Sequence, residues 1–268
     1  MDYRIYMETE KSYDISHKIN EDCYMFSEYV FMNDQPVRVM AVADGMGGLE
    51  EGDQASKNAI AGFFHSFYSE IMLKYMNTSM EEYALKYDRE AVEFALIKAI
   101  RKANEYVCRK ADPLKPTGTT LSAACIIEDF AVIANVGDSP VYFYRKNKRR
   151  LKLVSTLQTQ AEMDVQEELY ERYSSEYYAN DHRIYCSLGQ YNELRSEDIC
   201  VTSIGRLDEG DIILLGSDGA FGRMQEYEIL EQLDNCPEED EAFIIDQLFE
   251  LARMDKYDDQ TAIMYVCG

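Results

Sequence analysis

Three apolar stretches of this chain each run into an aspartate: Val39-Met-Ala-Val-Ala-Asp44, Ala131-Val-Ile-Ala-Asn-Val-Gly-Asp138 and Ile212-Ile-Leu-Leu-Gly-Ser-Asp218. Their apolar residues follow one another without alternation, which predicts strands buried on both faces, with the carboxylates standing where the chain leaves the core. Asp259, in Tyr257-Asp-Asp-Gln-Thr-Ala, precedes a further apolar run and joins the candidates. Carboxylates gathered at one rim repel one another unless a hard cation neutralises them, and all-oxygen ligation suits Mg²⁺ or Mn²⁺. Taken singly, each piece also has an ordinary reading. Asp44-Gly45 and Asp218-Gly219 could be two-residue hairpin turns, Gly47-Gly48 a corner, and Gly137-Asp-Ser139 a turn.

The elements that must position these carboxylates can be sketched from periodicity. Residues 2–9 and 23–33 alternate like antiparallel strands on either side of an Asn20-Glu-Asp22 turn. Ala55, Ala59, Ile60, Phe63, Phe64 and Phe67 recur at helical spacing through about Tyr75; a second helix is expected over about 89–109, closed by Pro113 and Pro116. Strands follow at 119–127, 130–136 and 141–144, as a meander with Asp129 in one turn and the basic run 146–150 in the next. Residues 154–182, polar and tyrosine-rich, read as a short helix within an exposed excursion. A strand at 211–216, helices at about 225–234 and 239–253, and a closing strand at 261–266 complete the chain. Helix pairs interrupting two sets of strands imply two antiparallel sheets packed face to face, with helices outside: a four-layer α-β-β-α sandwich of the α+β class.

Composition narrows the possible functions. At 268 residues and 46% hydrophobic, the chain can bury a large core. The candidate acids are spread from Glu21 to Asp259, so residues 1–268 are expected to form one domain. Fifty Asp and Glu against 27 Lys and Arg leave a formal charge of -23, which disfavours a nucleic-acid partner. Seven scattered cysteines, none in a Cys-x-x-Cys pair, support neither a disulfide framework nor a zinc site. Without a basic-then-apolar start or a long apolar run, no membrane partner and a cytoplasmic location are expected.

Six segments in order carry a more specific signal: Asn20-Glu-Asp22, Val42-Ala-Asp-Gly-Met-Gly-Gly48 with Gly52 and Ala55-Ser56, Thr117-Gly-Thr-Thr120, Val136-Gly-Asp-Ser139, Leu215-Gly-Ser-Asp-Gly219 and Asp259-Gln-Thr261. Together they resemble the metal-dependent serine/threonine protein phosphatases of the PPM, or type 2C, family, in a bacterial-type form. The resemblance implies a β-sandwich with a two-metal cleft at one edge, holding two Mn²⁺ or Mg²⁺ ions. By position Asp44 would bridge both ions and Asp218 and Asp259 complete one shell. Glu21 and the Gly45 carbonyl would serve the other, and Asp22 would orient these ligands from behind. Asp138 matches the place of a third, weaker metal. Thr119 and Thr120 are read as structural. The implied chemistry is hydrolysis of phosphoserine and phosphothreonine in proteins by direct attack of a metal-activated water, with no phosphoenzyme. A monomer acting on phosphoproteins in the pathway of a cognate kinase is expected. Two competing readings are a degenerate binding or regulatory module and a hydrolase of small phosphate esters.

Several positions depart from the family pattern. Where an arginine usually grips the substrate phosphate, three residues before the Asn-Glu-Asp turn, this chain has His17 followed by Lys18. Either offers a single donor in place of a bidentate fork. Met46 stands where animal relatives commonly carry a histidine, and Pro140 and Gln260 replace the usual arginine and asparagine. Pro140 puts the third-metal role of Asp138 in question. His65 and His182 are read as structural, and the variable stretch at about 154–182 as a flap that influences substrate choice. If His17 is a weakened phosphate grip, His17→Arg lowers the KM for a phosphothreonine peptide; an unchanged KM removes that role.

Overall fold

In the computed structural model, residues 2–30, 36–46, 51–76, 89–112, 114–115, 117–221, 224–252 and 258–268 are described. Residues 31–33, Gly47, Gly48, Pro113, Pro116 and residue 253, which figure in the expectations above, lie outside them. Ten strands form two five-stranded antiparallel sheets. The first contains β1 (Tyr3–Glu10), β6 (Val141–Arg145), β7 (Arg150–Leu153), β9 (Ile212–Gly216) and β10 (Gln260–Cys267), in the order β1-β10-β9-β6-β7. The second contains β2 (Asp22–Val30), β3 (Pro36–Asp44), β4 (Leu121–Ile127), β5 (Phe130–Val136) and β8 (Cys200–Ile204), in the order β2-β3-β4-β5-β8. Both ends of the chain therefore meet in one sheet, where β1 pairs along its whole length with β10.

Burial explains the unbroken apolar runs. In β3, Val37, Val39, Ala41 and Ala43 face α1 (Gly52–Met76) and α2 (Arg89–Lys110), while Met40 and Val42 face the opposite sheet. The first sheet repeats this arrangement. Leu214 and Met264 pack on α6 (Glu226–Asn235) and α7 (Ile244–Ala252), while Ile213, Leu215, Ile263 and Tyr265 fill the space between sheets. The four expected layers are all present. Phe63 and Phe67 are fully buried under α1, and deleting a ring of this kind costs about 3–5 kcal/mol, so the helices are tied firmly to the sheet carrying Asp44. No helix among the described residues is long and apolar enough to cross a membrane. All seven cysteines are unpaired.

Several expectations are corrected. β1 and β2 do not pair: they lie in different sheets, and residues 11–21 carry the chain from one to the other. The meander is likewise broken, because β4 and β5 pair in one sheet and β6 and β7 in the other. The crossover occurs at residues 137–140, where Gly137 adopts φ +95°, a left-handed conformation glycine enters without strain. Alternation identifies a strand but not its partner. The pairs Asp44-Gly45 and Asp218-Gly219 are not hairpin turns: Gly45 bridges to Thr119 and Asp218 opens the short helix α5 (Asp218–Phe221). β8 has no counterpart in the sequence reading, and β7 begins at the end of the basic run read as a turn. Residues 238–243 form a 3₁₀ segment ahead of α7. The excursion at 154–182 holds two short helices, α3 (Gln160–Gln166) and α4 (Ser175–Asn180), capped by the hydroxyls of Thr159 and Ser174.

Candidate functional site

Strand register sets the first carboxylate pair. Asp22 at the start of β2 and Asp44 at the end of β3 are direct cross-strand partners, a relation that brings Cβ atoms to about 5 Å. The backbone of Asp44 is held on three sides. Its N–H donates to Thr120 Oγ1 at 3.0 Å, and its carbonyl accepts from the Thr120 N–H and the Thr119 hydroxyl, each at 2.9 Å. Thr120 Oγ1 also meets Ser139 Oγ at 2.6 Å, which links Asp44 to the crossover carrying Asp138. Next to it, the Gly45 N–H donates to the Glu21 carbonyl at 3.1 Å. A Cβ on Gly45 would lie 2.4 Å from the Gly52 carbonyl oxygen and 2.6 Å from that of Glu21, so only glycine fits between these backbones.

A second group forms where β9 and β10 meet. The Ser217 N–H donates to the Thr261 carbonyl at 2.9 Å, the Thr261 N–H returns to Ser217 Oγ at 3.0 Å, and Asp218 follows immediately. Asp259 is almost fully buried. Its carboxylate accepts from the backbone N–H of Ser12 at 2.8 Å and of Glu21 at 2.7 Å, and its Oδ2 lies 2.7 Å from His17 Nε2. Asp259 thus ties the crossover between sheets to the head of β10. The structure sets His17 against Asp259, leaves Lys18 exposed and places Gln260 inward, its amide donating to the carbonyls of Gly219 and Phe249. Asp138 is buried beside the crossover.

Charge crowding shows in the titration of these groups. Burial pushes the Asp22 carboxyl up to about 7; the hydroxyls of Thr261 and Ser217 oppose the rise, and the charges at Asp259 and Asp218 add to it. Neither Asp22 oxygen receives a hydrogen bond of normal geometry among the described residues, so the two hydroxyls offset burial only in part. Asp44 is held well above the usual carboxylate range, first by burial and then by Asp22, Asp218, Asp258 and Asp138. Burial also raises Glu21, with His17 opposing and Asp259, Asp53 and Asp258 adding. The acids that the sequence scattered over more than two hundred positions therefore share one electrostatic environment.

The sequence reading missed Asp258, whose Oδ1 accepts the Asp259 N–H at 2.9 Å and whose charge reaches Asp44 and Glu21. Strand alternation would send adjacent residues to opposite faces, but both aspartates precede β10 and escape that rule. The tandem Asp258-Asp259 was the available signal. His65 and His182 are exposed, and His182 lies 3.7 Å from Asp181.

Among the described residues no three carboxylate, imidazole or thiol groups converge closely enough to make a ready metal cage. The donor chemistry nonetheless fits hard divalent cations: acidic oxygens buried together, one of them with both oxygens lacking hydrogen-bond donors, are what such an ion stabilises.

Comparison with known families decides the relationship: a family profile described as protein phosphatase 2C matches residues 18–256. The chain belongs to the protein phosphatase 2C family. Solved structures agree on the fold. The chain is similar to the serine/threonine phosphatase Stp1 from Staphylococcus aureus, with 22% identity, a TM-score of 0.76 and coverage of 100% of this chain and 96% of that one. It is similar to the PPM Ser-Thr phosphatase MsPP from Mycobacterium smegmatis, in complex with cacodylate, at 22% identity and TM-score 0.73, covering 99% and 98%. A third likeness is to the catalytic domain of the phosphatase PstP in complex with two manganese ions, at 24% identity and TM-score 0.69, covering 98% and 97%. No curated protein matches the sequence. As a protein phosphatase 2C member, the chain carries its departures at structural joints: Pro140 supplies the carbonyl that accepts from the Gly216 N–H at 3.2 Å, connecting β6 to β9, and Met46 donates its N–H to the Gly118 carbonyl at 3.1 Å.

The raised carboxyl of Asp22 has a measurable consequence in metal-free protein. Because the folded chain holds a proton that the unfolded chain has released, stability falls as pH rises from the ordinary carboxylate range through about 7. Asp22→Asn removes this dependence, so in EDTA the variant gains stability relative to the unaltered protein between about pH 5 and about pH 8, read from urea midpoints. A difference that does not vary with pH contradicts this account of Asp22.

Proposed function

We propose that this chain is a divalent-metal-dependent protein phosphatase that hydrolyses phosphoserine and phosphothreonine. The observation that carries the reading is the cross-strand pairing of Asp22 and Asp44, with the charge of Asp218 acting on both and that of Asp259 on Asp22. Family membership and the two manganese ions of PstP support it. Asp44, Asp218, Asp259, Glu21 and the Gly45 carbonyl would hold two Mn²⁺ or Mg²⁺ ions, with Asp138 available to a third. Bound ions supply Lewis-acid stabilisation of the phosphoryl oxygens and activation of water.

The chain's own groups have separate tasks. Asp22, the cross-strand partner of Asp44, would orient these ligands from behind and add to the negative potential of the cleft. Thr119 and Thr120 lock the Asp44 backbone in register, so the carboxylate does not have to be reoriented during the reaction. His17, held on Asp259 through Nε2, and the exposed Lys18 would each offer a single donor to the substrate phosphate. Met46 offers no proton, which leaves leaving-group protonation to solvent. Burial pushes the Cys186 thiol up to about 11 and that of Cys267 up to about 12, so neither is poised as a nucleophile. Phosphoproteins opposed to a cognate kinase are the substrates proposed, with residues 1–268 acting as a cytoplasmic, monomeric catalytic unit.

The test is phosphate release from a phosphothreonine peptide. Release with Mn²⁺ that is abolished both by EDTA and by Asp218→Asn is the expected result. Folded, Mn²⁺-loaded protein that releases no phosphate would show the chain to be a binding module.

A further inference from the structure

Beside the carboxylate cleft, the excursion at 154–182 leaves a cavity of about 210 Å³. One wall is shared with the cleft through Asp138 and Asp218. The remainder mixes aromatic rings with Pro140, Leu153, Leu157 and Met224: Tyr142 and Phe221 from the body, with ring centroids 5.3 Å apart, line it together with Tyr173, Tyr177 and Tyr178 from the excursion. The last three rings form a connected set, with centroids 5.7 to 6.5 Å apart. Tyr173 is held at φ +67°, a left-handed conformation unfavourable for an aromatic residue. Retention of such a conformation beside a cleft points to ring placement as its purpose.

The polar groups of the cavity are unevenly matched. Arg172 is spent inside the structure, paired with Glu162, whose other oxygen accepts the Tyr177 hydroxyl at 2.6 Å. That ion pair is neutral and braces the wall. Asp181 lies at the lip, part-exposed. His182 shares the lip with Asp181, 3.7 Å away; over residues 157–183 seven acidic residues stand against Arg172 and Arg183, so the field at the mouth remains negative and opposes an acidic occupant. Tyrosine faces attract a cation and cover an aliphatic stem. A cavity with aromatic and aliphatic walls and a carboxylate at its lip is therefore matched to a long basic side chain.

We infer that this cavity is a substrate subsite that takes an arginine or lysine side chain of a phosphopeptide, close in sequence to the phosphorylated residue. The inference rests on the phosphatase reading for the identity of the neighbouring cleft and extends it to substrate class. An ion held by Asp218 would not take up the rings or Asp181, so the preference for a basic side chain is expected in the metal-loaded protein as well.

The test uses phosphonate analogues of a phosphoserine peptide, which bind without being hydrolysed, with a single arginine, alanine or glutamate placed at each of several positions around the phosphonate. Affinity is read by fluorescence anisotropy with Mn²⁺ present. Arginine at one position is expected to bind about tenfold more tightly than alanine there, and glutamate more weakly. Asp181→Lys abolishes the arginine advantage and Tyr178→Ala reduces it, while both variants keep the unaltered melting temperature and p-nitrophenyl phosphate turnover. Equal affinity for the three peptides at every position overturns the inference, as does an Asp181→Lys loss of the same size for arginine and alanine peptides. Failure of the unaltered, Mn²⁺-loaded protein to turn over p-nitrophenyl phosphate counts against the phosphatase reading alone, because the peptide comparison still reads the subsite.

Discussion

Repulsion between carboxylates that strand pairing forces together is the constraint on which the rest of this structure turns. Asp22 and Asp44 cannot separate without changing the register of β2 and β3, and that register is fixed by buried residues on both faces of β3. Two full charges held this close in a partly desolvated site repel one another by an amount of order a few kcal/mol. Without a cation, the folded chain relieves this by retaining a proton. A divalent ion relieves it while leaving the oxygens ionised, which is the state that phosphoryl chemistry requires. The core thus stores the electrostatic tension that a bound divalent ion would relieve.

Both sheets are needed to build this cleft. β2 and β3 deliver Asp22 and Asp44, while β9 and β10 deliver Asp218 and Asp259. Bonds from the 11–21 crossover to Asp259 close the gap between the sheets: the Ser12 and Glu21 amides and the His17 ring all end on one carboxylate. The short contacts among Asp44, Thr120 and Ser139 do the same for the crossover at 137–140. Function at this site therefore depends on sheet-to-sheet packing as much as on any single acid, and the acids could not be gathered by one half of the chain.

Much of this was legible in the sequence. The runs ending at Asp44, Asp138 and Asp218 are buried strands because each residue faces either a helix layer or the opposing sheet, leaving no solvent side to demand alternation. Helices α1 and α2 were readable from spacing, and the acids from their place at strand ends. Pairing partners were not readable, since β1 chooses β10 through contacts more than two hundred residues away in sequence. β8, with only one residue buried, lacks the apolar run that revealed the others. Asp258 was passed over in favour of its neighbour in the tandem pair, and the attachment of His17 to Asp259 depends on a loop path that no local pattern encodes.

The measurement that tests the central claim most directly is calorimetric titration of metal-free protein with Mn²⁺, run in parallel on Asp44→Asn. The account predicts two saturable Mn²⁺ sites accompanied by proton release, with both lost when the residue shared between them loses its charge. Titration that shows no saturable binding, or binding that Asp44→Asn leaves intact, would contradict it.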